Sequence, residues 1–207
     1  FVEETLDEVA VARDTFLLPI GDFSFTSDSE RAHAVAAMLL PFVRELITGP
    51  TPMHLVTKPT AGSGGTLLCD VISLVTTGQS APVGTEIPND DEGRKRLTAL
   101  FLAGEPIVLL DNIKEIVQGS VLAAALTSEW WMDRFLGQSS IVRVPVRCLW
   151  LATGNNPSAL HEMVRRIVRI RIDTGLERPA DRPREAFRFP DLKGWVREHR
   201  GELVHAA

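Results

Sequence analysis

At 207 residues the chain is long enough to bury a sizeable core, as one domain of generous size or a core with a small appendage. Hydrophobic residues make up 44% and charged residues 24%, and no apolar run approaches the roughly 20 residues that span a bilayer, which points to a soluble globular protein with no membrane segment. The net charge of −5 is unevenly spread: residues 1–142 carry 9 basic and 19 acidic side chains, residues 143–207 carry 13 and 8, so a polyanionic partner is expected to meet the C-terminal third.

Residues 1–25 mix acidic and apolar side chains and read as an N-terminal arm without an assigned element. Ser27 with Glu30 three residues on is a capping-box start, and Ala34, Met38, Leu39 and Val43 carry an apolar helical face to Ile47, with Pro41 expected to kink it. After the breaker "TGPTP", the run "MHLVT" at 53–57 predicts a buried strand leading into a glycine loop. Leu67, Leu68, Val71, Ile72 and Val75 then fit a helix closed by Gly78. "PVGTEI" suggests a short strand, Asn89 with Glu92 starts a second helix that Gly104 ends, and "PIVLLD" at 106–111 is another buried strand. A short helix around Val121–Leu126 precedes "RFLG" and "IVRVPV", which flank "QSS" as a hairpin over about 134–146. "RCLWLAT" is the next buried strand, "SALHEMVRRI" a short helix and "VRIRID" a further strand; a Pro- and Arg-rich loop leads to an amphipathic helix from about Asp191. Apolar strands separated by helices predict an α/β fold, a three-layer sandwich on a mainly parallel sheet. The expected organisation is an arm over 1–25, a core over 26–175, and over 176–207 a loop with the start of a helical lid.

The stretch "TKPTAGSGGTLLCD" at 57–70 sits between strand and helix, where phosphate-binding loops lie. Their pattern G-x-x-x-x-G-K-[ST] surrounds phosphates with backbone N–H groups and adds a lysine and an Mg²⁺-binding hydroxyl. Aligned on Gly64 and Thr66, this chain has Pro59 at the first glycine and Gly65 at the lysine. The backbone of Ala61, Gly62, Ser63, Gly64, Gly65, Thr66 and Leu67 can still form an anion nest, with Thr66 at the metal position. The missing charge is expected from Lys58 folding back or from a neighbouring subunit. A plain strand-to-helix turn is the competing reading. A dinucleotide fingerprint fits incompletely, because Leu67 stands at its third glycine.

"IVLLDN" ends a buried strand in Asp111, where a carboxylate can hold Mg²⁺ through water, although a polar residue is also ordinary at a strand end. "CLWLATGNNP" ends another in Gly154, Asn155, Asn156 and Pro157, good turn chemistry that also offers an amide to a γ-phosphate or a water. Arg165 and Arg166 follow on the short helix, either as a solvated face or as guanidinium groups for phosphate in a neighbouring subunit. His54 and Trp150 read as core residues. Trp130 and Trp131 read as hairpin anchors, with stacking on single-stranded bases as the alternative. Cys69 and Cys148 have apolar surroundings and no metal-ligand spacing, which favours reduced core thiols and a cytoplasmic setting. A start at Phe1 without a secretory pattern suggests a piece of a longer protein.

Taken in order, the degenerate phosphate loop, "IVLLDN", the hairpin, "WLATGNNP" and "RRIVRIRID" resemble an AAA+ P-loop ATPase core. The chain is most similar to the ATPase domain of primase-helicase-like proteins of phages and mobile elements, and superfamily-three helicases are similar in outline. The resemblance covers about residues 20–205. It implies ATP and Mg²⁺ as ligands, DNA as partner, a homo-oligomeric ring with nucleotide between subunits, and a phosphate-loop strand flanked by the Asp111 and Asn155 strands. It gives Thr66 and Asp111 to the metal, Asn155 or Asn156 to γ-phosphate sensing, Arg165 or Arg166 to an arginine finger, and the hairpin around 137–140 to the DNA channel. Asn112 stands where many motors have a water-activating acid. With Gly65, it favours the alternative of a pseudo-ATPase that keeps fold and assembly without turnover.

Overall fold

The computed structural model describes residues 5–84, 87, 89–114, 116–117, 119–134, 140–159 and 161–207. The arm contains a helix, α1 (Leu6–Leu17), started by the Thr5 hydroxyl on the Glu8 N–H and by the Glu8 carboxylate on the Thr5 N–H. Phe16 and, in the following 3-10 turn, Ile20 are buried in the core. The chain then runs beside the last strand: the Thr26 N–H donates to the Arg171 carbonyl and the Asp173 N–H to that of Ser24.

α2 (Asp28–Val43) begins at Ser27, whose hydroxyl accepts the Glu30 N–H. The other half of the expected capping box is replaced. The buried Glu30 carboxylate accepts the Arg171 N–H at 2.8 Å and pairs with the Arg169 guanidinium at 3.2 Å, because charge-assisted partners outcompete a solvent-facing cap. The helix passes through Pro41 and gives way at Val43 to a 3-10 turn, short of Ile47.

β1 (Met53–Lys58) is buried throughout and leads through the glycine loop into α3 (Gly65–Thr77), which Gly78 closes at φ +78°. β2 (Val83–Gly84) precedes α4 (Asp90–Ala103), capped by the Asn89 side chain and ended by Gly104 at φ +68°. Then come β3 (Ile107–Ile113), β4 (Ile116–Val117), α5 (Ser120–Ala125), the antiparallel pair β5 (Trp130–Arg134) and β6 (Ile141–Pro145), β7 (Leu149–Asn155), β8 (Ser158–Ala159), α6 (His161–Val164), β9 (Ile167–Arg171), α7 (Leu192–Glu198) and α8 (Arg200–His205).

The main sheet is parallel in the order β2-β3-β7-β1-β9. This corrects the implied neighbours of β1. The Asn155 strand, β7, does flank it, but β9 lies on its other side and the Asp111 strand, β3, lies beyond β7. Alternation along each strand then splits the core in two. Val56, Ile107, Leu109, Leu149 and Leu151 face α2, α3 and the C-terminal helices, while Leu55, Val108, Leu110, Trp150 and Ala152 face α4 and α5.

The hairpin starts earlier than expected, at Trp130. The cause is Trp131, which is buried against Phe101 and donates its indole N–H to Thr98 at 2.8 Å, fixing β5 on α4. Trp130, on the other face, is 45% exposed with the Arg143 guanidinium 4.2 Å from its ring centre. Of the hairpin tip at 137–140, residues 137–139 lie outside the described residues. α7 and α8 pack on α3 through buried Val196 and Leu203, and Arg200 donates to the Leu74 and Thr76 carbonyls at its end. His54 and Trp150 are core residues; both cysteines are free and buried, and burial pushes the Cys148 thiol up to about 12.

Candidate functional site

All five parallel strands point their C-terminal ends to one edge of the sheet, and the glycine loop lies there. Gly62 (φ +82°) and Gly64 (φ +93°) adopt left-handed backbone that a side chain would strain. Each is also packed from outside: a Cβ at Gly62 would stand 3.1 Å from the Ala180 methyl, and one at Gly64 3.2 Å from the Phe23 ring. The Ser63 hydroxyl donates to the Thr60 carbonyl at 2.8 Å and closes the turn. The first intrahelical bond of α3 joins the Leu68 N–H to the Gly64 carbonyl, so by helix geometry the N–H groups of Gly65, Thr66 and Leu67 have no acceptor within α3, at the positive end of its dipole.

Lys58, the last residue of β1, is 9% exposed and lies over the start of α3. A Cβ at Gly65 would stand 3.3 Å from its Cδ and 3.4 Å from its Nζ. Gly65 and Lys58 are thus one arrangement: the bare backbone at 65 is what leaves room for the ammonium group beside the loop.

Asp111 reaches the same place from β3. The Thr66 hydroxyl donates to its Oδ1 at 3.0 Å, although β7 separates the two strands. The β3–β7 register explains this reach. Leu110 pairs with Ala152 and Ile113 with Gly154, so Asp111 and Asn112 together oppose Thr153 alone, a β-bulge that re-aims the carboxylate. Asn112 takes φ +57° there, and its N–H donates to the Thr153 hydroxyl at 2.9 Å. That hydroxyl in turn donates to Asp111 Oδ1 at 2.6 Å. Gly154 permits the close approach of β3 after the bulge, because a Cβ would stand 2.8 Å from the Ile113 carbonyl oxygen.

A hydroxyl and one carboxylate oxygen beside the glycine loop are ligand types that suit Mg²⁺, an ion that keeps several waters and takes its remaining ligands from substrate phosphates. Among the described residues no trio of His, Cys, Asp or Glu is placed to hold a metal without such a substrate. Asn155 ends β7 in register with Lys58 and is exposed at the same edge, followed by Asn156 at φ +49°. Asn112 is exposed there as well.

Arg165 and Arg166 are elsewhere. α6 ends at Val164, so they lie in a turn rather than on the helix, because the Arg166 N–H bonds back to the Met163 carbonyl. The Arg166 carbonyl accepts the Met53 N–H at the start of β1, so the full strand, about 20 Å, separates the pair from the loop of the same chain.

Two features have no counterpart in the sequence reading. One is Thr153, which in a buried strand reads simply as a β-former. The other is a cavity of about 310 Å³ against Gly62 and Gly64, walled by Phe23, Leu67, Phe187 and Phe189, with Asp22 and Lys193 at its edge. Its walls come from three distant segments, and the one signal that could have marked it is Phe187 and Phe189, two positions apart in what reads as a Pro- and Arg-rich loop.

No protein-family model matches the chain, and no curated protein matches it. Among solved structures, it is similar to the C-terminal region of NrS-1 in an apo A form, at 15% identity and TM-score 0.54 over 98% of this chain and 44% of that one. The 305–718 form of the same region aligns at 15% identity and TM-score 0.52, over 94% of this chain and 46% of that one. The likeness is one of fold, and the chain spans less than half the length of these neighbours.

Proposed function

We propose that the chain is the ATP-binding and hydrolysing module of a DNA-replication protein, working between the subunits of a homo-oligomeric ring. The single observation that carries this reading is the convergence at one sheet edge of the Lys58 ammonium, in the space left by Gly65, with the Thr66 hydroxyl on Asp111. The amides of the Gly62–Leu67 loop and Lys58 hold the triphosphate, and the aromatic cavity beside Gly62 and Gly64 takes the base. Mg²⁺, held by Thr66 and Asp111, would supply neutralising charge on the phosphate oxygens. Water adds to the γ-phosphorus as the bond to the bridging β-oxygen breaks, giving ADP and phosphate; the attacking water's proton passes to solvent or phosphate. Asn155 or Asn156 orients that water, and Arg165 or Arg166 of a neighbouring copy meets the charge on the γ-phosphoryl group. DNA as the partner rests on the family resemblance and on the basic C-terminal third. Among the described residues no helix is long and apolar enough to cross a membrane.

The test is ATP binding and turnover by wild type, Lys58→Ala, Asp111→Ala and the double variant Lys58→Ala/Gly65→Lys. Lys58→Ala should weaken binding about tenfold or more, the size of a lost charge-assisted phosphate contact. The double variant should recover part of it by moving the ammonium group to the neighbouring backbone position. A wild-type chain that binds no ATP, or a Lys58→Ala variant that binds it normally, sinks the reading. Asn112, with its exposed amide where an acid would activate water, supports a second one: binding without turnover, even on DNA, identifies a structural module.

A further inference from the structure

We infer that Thr153 is the positioning residue of the metal site: it clips the β3 bulge shut and holds Asp111 with Oδ1 turned to Thr66 and Oδ2 left for the metal shell. The inference rests on the nucleotide-binding reading of the site and goes beyond it, since neither the loop pattern nor the strand-end carboxylate requires a hydroxyl here.

Three observations converge. The bulge places Asp111 and Asn112 opposite Thr153 alone, so two peptide units must be satisfied by one partner residue. Asn112 is held at φ +57°, a conformation a non-glycine residue keeps only when its surroundings fix it, and its N–H is fixed by the Thr153 oxygen at 2.9 Å. Thr153 itself is fully buried, so its hydroxyl cannot exchange these partners for water. With the oxygen accepting from Asn112, its proton points to Asp111 Oδ1, 2.6 Å away. Oδ1 thereby receives two hydroxyl donors, Thr153 and Thr66. A carboxylate oxygen with both lone-pair directions taken is a poor ligand; its partner oxygen is the one presented outward. Thr153 acts through Asp111 and does not touch the phosphates, which makes it analogous to the outer groups that orient metal ligands elsewhere.

The experiment measures affinity for a non-hydrolysable ATP analogue with Mg²⁺ and with EDTA, in wild type, Thr153→Val and Thr153→Ser. The readout is the ratio of the two affinities, the metal's own contribution to binding. Thr153→Val should reduce that ratio about tenfold, in the range found when outer-shell partners are removed, and leave the EDTA affinity within about twofold. Thr153→Ser keeps the hydroxyl and should keep the ratio. A variant that merely loosens the fold lowers both affinities together and leaves the ratio as it was. Should Thr153→Val fail to fold, Thr153→Cys carries the same expectation, because a thiol fills the space but is a weak donor. An unchanged ratio in the folded Val or Cys variant, or a loss in Ser equal to theirs, overturns the assignment and leaves nucleotide binding standing. Wild type that binds the analogue in neither buffer overturns both.

Discussion

A lysine at the end of a strand and a glycine one helical start away are separated by seven positions, yet they share one volume. Gly65→Ala tests that directly. A Cβ there would press on the Lys58 stem at 3.3 to 3.4 Å, and the stem is flexible enough to yield. Alanine is also the better helix former, by about 0.5 to 1 kcal/mol. We therefore expect the melting temperature to hold or rise while ATP affinity falls severalfold, opposite signs that a folding defect would not give. Unchanged ATP affinity in a folded Gly65→Ala variant would place Lys58 outside the binding machinery. At this scale residue type singled out Thr66, Asp111 and Lys58, and the structure sets the Thr66 hydroxyl on Asp111 and the Lys58 side chain against Gly65. The sequence was mute about Thr153, whose role comes from a register shift between β3 and β7 that side-chain identities do not encode.

The helices read well where their ends are marked. Asn89, Gly78 and Gly104 fix α3 and α4 because caps are local chemistry, satisfied within a few residues. α1 carries such a mark too, the Thr5–Glu8 capping box, but no apolar stripe follows it to be read as a helix, since Leu6, Val9 and Val11 are exposed and only Phe16 is buried. Strand order was hidden for a related reason: each buried strand is apolar on both faces and says nothing of its neighbours. One element depends on a distant residue. Arg200 donates to the Leu74 and Thr76 carbonyls, two acceptors at the C-terminal end of α3, where positive charge is favoured. Arg200→Ala should cost on the order of 1 to 2 kcal/mol, measured by urea denaturation. It should also raise amide exchange in the last turn of α3 before the rest of the helix. Uniform protection along α3 would remove Arg200 from that role.

For the molecule as a whole, the basic C-terminal third is less available than its count suggests. Arg169 pairs with Glu30, Lys193 with Asp70, Arg200 with backbone, and Arg182 and Arg188 lie over phenylalanines. Global stability should also respond to acid through His54. Burial, with His33 adding a smaller effect, lowers its pKa from 6.5 to about 4, and its Nδ1 has no hydrogen-bond partner among the described residues. The unfolded chain binds this proton below pH 6.5 and the folded chain only below about 4. Stability is therefore full above pH 6.5 and falls as pH drops towards 4, by on the order of 3 kcal/mol from this group. Denaturation midpoints across that window should slope in wild type and flatten in His54→Leu; equal slopes would assign the acid sensitivity to other groups.

The packing of the glycine loop from outside also limits how this chain can drift. Gly62 abuts Ala180 and Gly64 abuts Phe23, so four positions from three remote segments occupy one small volume. Ala180 is itself exposed and can enlarge into solvent, but a side chain at 62 would press on it, and a change in ring at 23 alters the mould around 64. Among descendants of this sequence, a side chain gained at 62 should appear only with an adjustment at 180, and one gained at 64 only with a smaller ring at 23.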